Sequence, residues 1–552
     1  MLQHSGKLLV KVRRPWLFDR LSLGRPRMAG YRWRRLFETG ERGFALFGST
    51  ETWYEVAPLT PSADEHPWDH AHRVAAAHGY RHFVEPDLLH TPAEPRLTPP
   101  ATGMDPDWPP PDAVSPAWHL EANFTGFLEA RRRATGKGVR VAHLDTGYWP
   151  EHASTPRHMR PDLGYNFSEG NTDTIDPGSG GLLANPGHGT ATAALLAGGQ
   201  VELDYRGMTY RGDFGGAPDC EVVPIRVGPS VVHFFTGALA EGLNYALAPR
   251  GRTGDRCDVA TLSVGGVPSA CWGDAVNRLY EAGVVVAAAS GDNIYAGLDL
   301  PTHAVVYPSA FDRVITVTGA TYAQSAYTTE RFGAMQGNWG PETVMHKAVA
   351  GYTPNIAFMM FRTKSGFGFS NGTSLSAPQV AAACALWLEL YGANYPANWQ
   401  RVEACRVALF ESARHREDPA RIGQGILYAP AMLDAALEAG IRRRMRAGAI
   451  QPMPRDQVRE PLWRLLFDLP PAESAADAMY DLEVAQVLHR SRQPALVAAK
   501  HAHAGGARLD ASRFPDLRRC LGAEPELSAR LRARLSEAPG PEPPRTSAAS
   551  AR

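Results

Sequence analysis

Three short stretches of the chain carry residue types that can do nucleophilic chemistry. Asp145-Thr146-Gly147 follows the apolar run 139–144. A carboxylate at a strand end is held rigidly, and the glycine lets the backbone turn beside it. Gly187-His188-Gly189-Thr190 opens a run of small apolar residues, 191–197, that reads as a helix, so an imidazole stands at a helix start without bulky neighbours. Gly372-Thr373-Ser374-Leu375-Ser376-Ala377-Pro378 opens a second helical run that ends near 390. Pro378 falls in its first turn, where a missing N–H costs little. The Ser374 hydroxyl is therefore expected at the positive end of a helix dipole. Together these groups make a base-activated oxygen nucleophile: the imidazole takes the hydroxyl proton, and the carboxylate orients the imidazole and stabilises its charged form.

Each motif also has a bland reading. Asp-Thr-Gly is a common turn, and Gly-His-Gly-Thr alone would serve as a helix start. The weight rests on Gly-Thr-Ser-x-x-Ala-Pro, which has five set positions, and on the chain order Asp, His, Ser with each motif in its strand or helix setting. The serine lacks a Gly-x-Ser-x-Gly elbow, which argues against a lipase-type hydrolase.

These residues need a scaffold, and the pattern around them supplies one. Short continuous apolar runs at 139–144, 221–225, 259–264, 284–289 and 314–317 alternate with small-residue helices. Apolar strands between helices predict a mostly parallel central sheet covered on both faces. An α/β domain of three layers is expected over residues 117–440. Before it, residues 1–92 read as a small α+β domain, with strands at 44–47, 53–56 and 81–84 and a helix at 69–78. Residues 93–116 are dense in proline and predict an extended linker. Residues 441–538 are rich in Arg and Ala and predict a helical C-terminal extension, and 539–552 a disordered tail.

Composition bounds the function classes. The chain has 552 residues, too many for one ordinary core. It carries 57 Lys+Arg against 57 Asp+Glu, which gives no reason to expect nucleic acid or a membrane surface as partner. No run of about 18 apolar residues occurs. Of the six cysteines, none has the spacing of a zinc site, and scattered buried thiols are expected, with a Cys257–Cys271 bridge left open. No targeting segment is legible at the N-terminus, so a cytoplasmic location is expected, with secretion as the alternative.

The three motifs and several flanking ones identify a resemblance. Residues from about 118 to 440 resemble the catalytic domain of subtilisin-like serine peptidases, the subtilases. Gly215-Gly216-Ala217-Pro218, Leu262-Ser263-Val264-Gly265-Gly266, Tyr307-Pro308-Ser309-Ala310 and Gly423-Gln424-Gly425 look like further family segments. The resemblance implies a subtilisin-like fold and a serine endopeptidase with Asp145, His188 and Ser374 as catalytic triad. It implies that protein or peptide substrates lie as an extended strand beside Ser263, Val264 and Gly265. It also implies an oxyanion donor after the strand at 284–289, where most subtilases carry Gly-Asn. Here the chain reads Ser290-Gly291-Asp292-Asn293. Asp292 is the closer match and Asn293 the alternative, shifted by one residue. An ionised Asp cannot donate a hydrogen bond, so a weak or inactive peptide-binding pseudoenzyme stands as the second reading. Gln379 replaces a frequent family His, and His143 reads as a core histidine. No metal or cofactor is required. Asp173 and Asp176 are the candidates for Ca2+, but they lack calcium-loop spacing, and a solvated loop is expected there. Residues 1 to about 90 resemble a subtilase propeptide in size and character, which makes the chain's own N-terminal domain a candidate inhibitor, with a permanent regulatory or partner-binding domain as the alternative.

Overall fold

Runs of β-branched and small apolar residues build the central sheet. The structure is a computed structural model that describes residues 3–13, 30–37, 51–60, 65–91, 103–108, 114–178, 185–295 and 304–537. The strand expected at 44–47, most of the linker and the tail lie outside the described residues.

The N-terminal strands are β1 (His4–Arg13), β2 (Tyr31–Arg35), β3 (Glu51–Pro58) and β4 (Phe83–His90), with helix α1 (Pro67–Ala77) on one face. In the main domain come β5 (Arg140–Asp145), β6 (Tyr165–Asn166), the hairpin β7 (Gln200–Tyr205) and β8 (Met208–Asp213), β9 (Glu221–Arg226) and β10 (Phe234–Phe235). They are followed by β11 (Val259–Leu262), β12 (Val285–Ala289), β13 (Asp292–Ile294), β14 (Ile315–Ala320), β15 (Met335–Gly337) and β16 (Ala348–Tyr352). The longer helices of that domain are α2 (His188–Ala197), α3 (Thr236–Tyr245), α4 (Ala270–Glu281), α5 (Ala377–Tyr391) and α6 (Trp399–Ser412).

Seven strands form the main sheet in the order β16-β14-β12-β11-β5-β9-β6. Every neighbouring pair in it is parallel. Alternate side chains point to opposite faces, and the two faces have separate cores. Val141, Val222, Val259, Val285 and Ile315 pack with α2 and α5. Ala142, Leu144, Val223, Ile225, Leu262 and Val286 pack with α3 and α4. This is the expected three-layer arrangement. Helix α5 is buried without a break from Ala377 to Leu388, and its alanines let it lie close against the sheet.

The N-terminal sheet is antiparallel, and it is continued by a strand of the main domain: its order is β10-β4-β1-β3-β2. One face of it, with Leu8, Val10 and Val12, packs on α1. Leu9 and Trp53 on the other face join the core under α3 and α4. The Trp53 indole and the Lys11 ammonium both reach Asp274 on α4, at 2.8 and 2.9 Å.

Helix α7 (Ala435–Arg446) runs across the boundary expected at 440. Beyond it lie α8 (Ala475–Arg490), α9 (Pro494–Ala504), α10 (Phe514–Gly522) and α11 (Ala529–Glu537), which share a core of their own with Trp463, Val484 and Leu517. Helix α8 also places Met479 and Leu482 in the N-terminal domain's core. Gln486 on α8 bridges the Trp68 indole and the Pro268 carbonyl, each at 2.9 Å. The N-terminal domain is thus held between the main domain and the C-terminal helices. All six cysteines are free thiols, Cys257 and Cys271 included. No described helix is long and apolar enough to cross a membrane.

Candidate active site

The carboxyl ends of β5 and β11 and the amino ends of α2 and α5 converge at one edge of the sheet. In open parallel sheets this edge is where ligands bind, because loops diverge there and helix N-termini point into the gap. Asp145 is the last residue of β5, one position further into the strand than its motif predicts, and is 1% exposed. His188 is the first residue of α2. Its Nδ1 lies 2.8 Å from Asp145 Oδ1 and 3.1 Å from Oδ2. The Thr146 N–H donates to Oδ1 at 2.7 Å, and the Thr192 hydroxyl lies 3.0 Å from Oδ2.

Burial alone would raise the Asp145 pKa. The facing His188, with help from His143 and the Thr146 N–H, outweighs burial and holds the carboxyl below its ordinary value. It is ionised and fully bonded, which suits a group that orients an imidazole. The closeness of β5 and α2 depends on Gly189: a Cβ there would sit 1.9 Å from the Gly147 carbonyl oxygen.

Asp176 secures the start of α2. Its Oδ2 accepts from the Gly187 N–H at 2.8 Å and from the Thr146 hydroxyl at 3.3 Å, and its Oδ1 accepts from the Gly178 N–H. It is 2% exposed, so the expected solvated loop is corrected here: Asp176 is a buried tie between β5 and α2. Asp173 is exposed, and its carboxylate accepts from the Ile175 N–H. Among the described residues no group of three His, Cys, Asp or Glu side chains gathers as a metal site.

Ser374 lies in a 3-10 turn, Thr373–Leu375, three residues before α5 begins, rather than in the α-helix itself. The turn packs against α2. Gly372 before it has φ +122°, and a Cβ there would stand 3.1 Å from the Asp292 carboxylate. The Ser374 hydroxyl hydrogen-bonds to the Ser263 carbonyl at 3.4 Å, and the Ser263 hydroxyl donates to the Ser374 carbonyl at 2.8 Å. The serine thus rests on the Ser263–Gly265 segment and is not hydrogen-bonded to His188 in this state. Behind it, Gln379 is fully buried. It donates to the Leu375 and Tyr352 carbonyls at 2.8 Å and accepts from the Tyr352 N–H, which ties the turn to β16.

The structure separates Asp292 from Asn293. Asp292 Oδ1 accepts from the Thr373 N–H at 2.9 Å and Oδ2 from its hydroxyl at 3.3 Å. Asn293, next along β13, points the other way. Its amide lies 2.7 Å from Asn338 Oδ1, and its carbonyl accepts from Gln336. Burial pushes the Asp292 pKa up to about 6, against the pull of the Thr373 donors and of His188. Ser263 and Val264 are buried, and Gly265 lies close against Val306 and the Tyr307 carbonyl. Gly266 exchanges both backbone bonds with Tyr307, at 2.8 and 2.9 Å.

The N-terminal domain reaches this same wall. The end of β4 pairs with β10, His90 opposite Phe234. The His90 ring stacks on Phe234 and lies against Trp272, at 4.9 and 4.8 Å between centroids, and it covers Gly266. Two carboxylates of β4 sit at helix starts. Glu85 accepts from the Ser269 hydroxyl and the Ala270 and Cys271 N–H groups at α4, and Asp87 accepts from the Gly237 N–H at α3. In the linker, Asp105 bonds to Asn371, three residues before Ser374. Sequence reasoning missed the Glu85 and Asp87 caps, because nothing in a strand's sequence names the helix it will meet.

Residues 136–425, more than half of the chain, match the profile of the subtilase family. The chain belongs to the subtilase family. It is 30% identical over 256 residues to an alkaline protease of Alkalihalobacillus alcalophilus, covering 46% of this chain and 55% of that protein. It is 30% identical over 256 residues to Subtilisin Savinase of Lederbergia lenta, covering 46% of this chain and 78% of that protein. A solved protease structure from Pseudoalteromonas arctica overlaps with a TM-score of 0.46 at 24% identity, across 61% of this chain and 100% of that one. The N-terminal domain and the C-terminal helices of this subtilase lie outside the stretch that matches the family.

Proposed function

We propose that this subtilase is a serine endopeptidase that cuts peptide bonds through an acyl-enzyme, with Asp145, His188 and Ser374 as its triad. The observation that carries the reading is a buried, ionised Asp145 bonded to His188 Nδ1 at 2.8 Å, at the same sheet edge as a part-exposed Ser374. His188 Nε2 takes the Ser374 proton as Oγ attacks the peptide carbonyl. Asp145 holds the tautomer with the proton on Nδ1 and stabilises the imidazolium. His188 then gives its proton to the leaving amine, and water repeats the cycle on the ester. The oxyanion takes one bond from the Ser374 N–H at the start of its turn and a second from Asp292 when that carboxyl is protonated. The substrate adds as an extended strand along Ser263, Val264 and Gly265.

The N-terminal domain acts on this site as an intramolecular inhibitor. Its support is the His90 end of β4, which covers Gly266 beside that substrate track.

The test is labelling of the full-length protein with a fluorophosphonate probe, beside a Ser374→Ala control. Labelling that disappears in the control is the expected result. A full-length protein that labels poorly, and labels well once the linker is cut and the N-terminal domain removed, gives the inhibitory role. Absence of labelling in both forms would overturn the peptidase reading.

A further inference from the structure

The strand that carries Asp145 carries His143 two residues earlier, on the same face. The helix that carries His188 carries Thr192 one turn later, on the same side. Two strand residues span about 6.6 Å and four helix residues about 6 Å, so the two spacings match. Two polar pairs therefore stack, Asp145 with His188 at the sheet edge and His143 with Thr192 one step deeper. His143 Nε2 lies 2.9 Å from Thr192 Oγ1, which lies 3.0 Å from Asp145 Oδ2. His143 is 3% exposed and Thr192 1%.

Thr192 has a single hydroxyl proton and several acceptors within reach. Besides Asp145 and His143, these are the His188 carbonyl at 3.1 Å and the Gly189 carbonyl at 3.3 Å. A helical threonine ordinarily bonds back to such a carbonyl, and then Asp145 would receive nothing from it. His143 decides between the two outcomes. Burial lowers its pKa, so the ring is neutral and has one N–H. Asp145 Oδ2 stands 3.9 Å from Nε2, and its charge favours the proton on that nitrogen. With Nε2 donating, the Thr192 oxygen is already an acceptor, and its own proton goes to the strongest acceptor it touches, the carboxylate.

We propose that His143 and Thr192 form a positioning relay that delivers one directed hydrogen bond to Asp145 Oδ2 and so fixes the carboxylate's orientation toward His188. Neither residue touches the nucleophile, and both act through Asp145. The kinetic consequence rests on the hydrolytic reading above; the hydrogen-bond relay itself does not.

The resonance is read on the full-length protein, and kcat on the same protein after the linker is cut and the N-terminal domain removed. The proton between Asp145 and His188 gives a low-field resonance, identified by its loss in His188→Ala. Thr192→Val and His143→Leu are each expected to move that resonance by the same amount and to lower kcat about tenfold, the size of one net hydrogen bond, with KM little changed. The double variant should lose no more than either single one, because the two groups act in series. Thr192→Ser and His143→Gln, which keep a donor in place, should restore most of the rate. If the leucine variant does not fold, His143→Asn, too short to reach Thr192, replaces it. An unmoved resonance in folded Thr192→Val, or a double variant whose loss is the product of the two singles, would overturn the relay. A wild-type protein that shows the resonance but never labels with fluorophosphonate would sink the peptidase reading and leave the resonance shifts to decide the relay.

Discussion

A carboxyl group beside an oxyanion can help only while it keeps its proton. Burial moves Asp292 from 3.8 up to about 6, so its neutral, donating form persists into mildly acidic solution and is lost as pH rises through that value. In the proposed mechanism the imidazole has the opposite need, since it must be unprotonated to accept from Ser374. Turnover should therefore fall on the alkaline side of about pH 6, as Asp292 loses its proton. Asp292→Asn supplies a donor at every pH. It should raise kcat by about a hundredfold at pH 8, the typical worth of one oxyanion donor, and by progressively less towards pH 5. A pH profile of kcat for both forms checks this, and equal profiles would show that Asp292 gives nothing to the transition state.

At the scale of elements, the proposed mechanism depends on how closely β5 and α2 approach. Gly189 lets the helix start lie against the turn after Asp145, and Asp176 ties the two together through the Gly187 N–H and the Thr146 hydroxyl. Gly189→Ala must push the helix away from the Gly147 carbonyl. We expect about 1–3 kcal/mol of destabilisation, the usual cost of overpacking, seen as a lower Tm, with a larger fractional loss in kcat because the Asp145–His188 bond opens. Asp176→Asn keeps the size of the side chain but weakens both ties, since an ionised acceptor bonds more strongly than a neutral one. It should lower kcat with a smaller fall in Tm. A Tm fall without any change in kcat in either variant would mean that the site tolerates the displacement.

For the whole molecule, the question is how the N-terminal domain is held. Glu85 and Asp87 on β4 cap α4 and α3, and burial pushes their pKa values up to about 8 and about 6, outweighing the donors they face. Both are raised carboxyls. Their contribution to docking is therefore complete below the ordinary carboxylate range and is lost as pH rises through about 6 and then about 8. With the linker cut, the N-terminal domain should stay bound at pH 5 and loosen toward pH 9, measured by co-elution on size exclusion. Glu85→Gln, neutral at every pH, should flatten the upper part of that dependence. The C-terminal helices add a contact from the other side through Gln486, Met479 and Leu482. Gln486→Ala strands the Trp68 indole and the Pro268 carbonyl, and should weaken retention after cutting at every pH without altering its pH dependence.

Much of this was open to reading in the sequence alone. Unbroken apolar strands between small-residue helices specify a parallel sheet, because only a strand covered on both faces can be apolar at every position. The three motifs and their order identify the family, because each couples a reactive side chain to the backbone turn that presents it. Pairings between distant segments were not legible, because side-chain direction alternates along a strand and the register is set by partners far away in sequence. Asp292 and Asn293 are adjacent and both plausible as text; the pairing of β13 with β15 turns one toward Thr373 and the other into an amide cluster. His143 reads as a core histidine until α2 sets Thr192 against it. The docking of β4 on β10, and the two carboxylates it carries to the helix starts, exist only once three separate parts of the chain have folded together. Composition and spacing determined the chemistry available to this protein. The tertiary structure decided which of its polar groups meet, because a hydrogen bond depends on distance and direction in space rather than on neighbourhood along the chain.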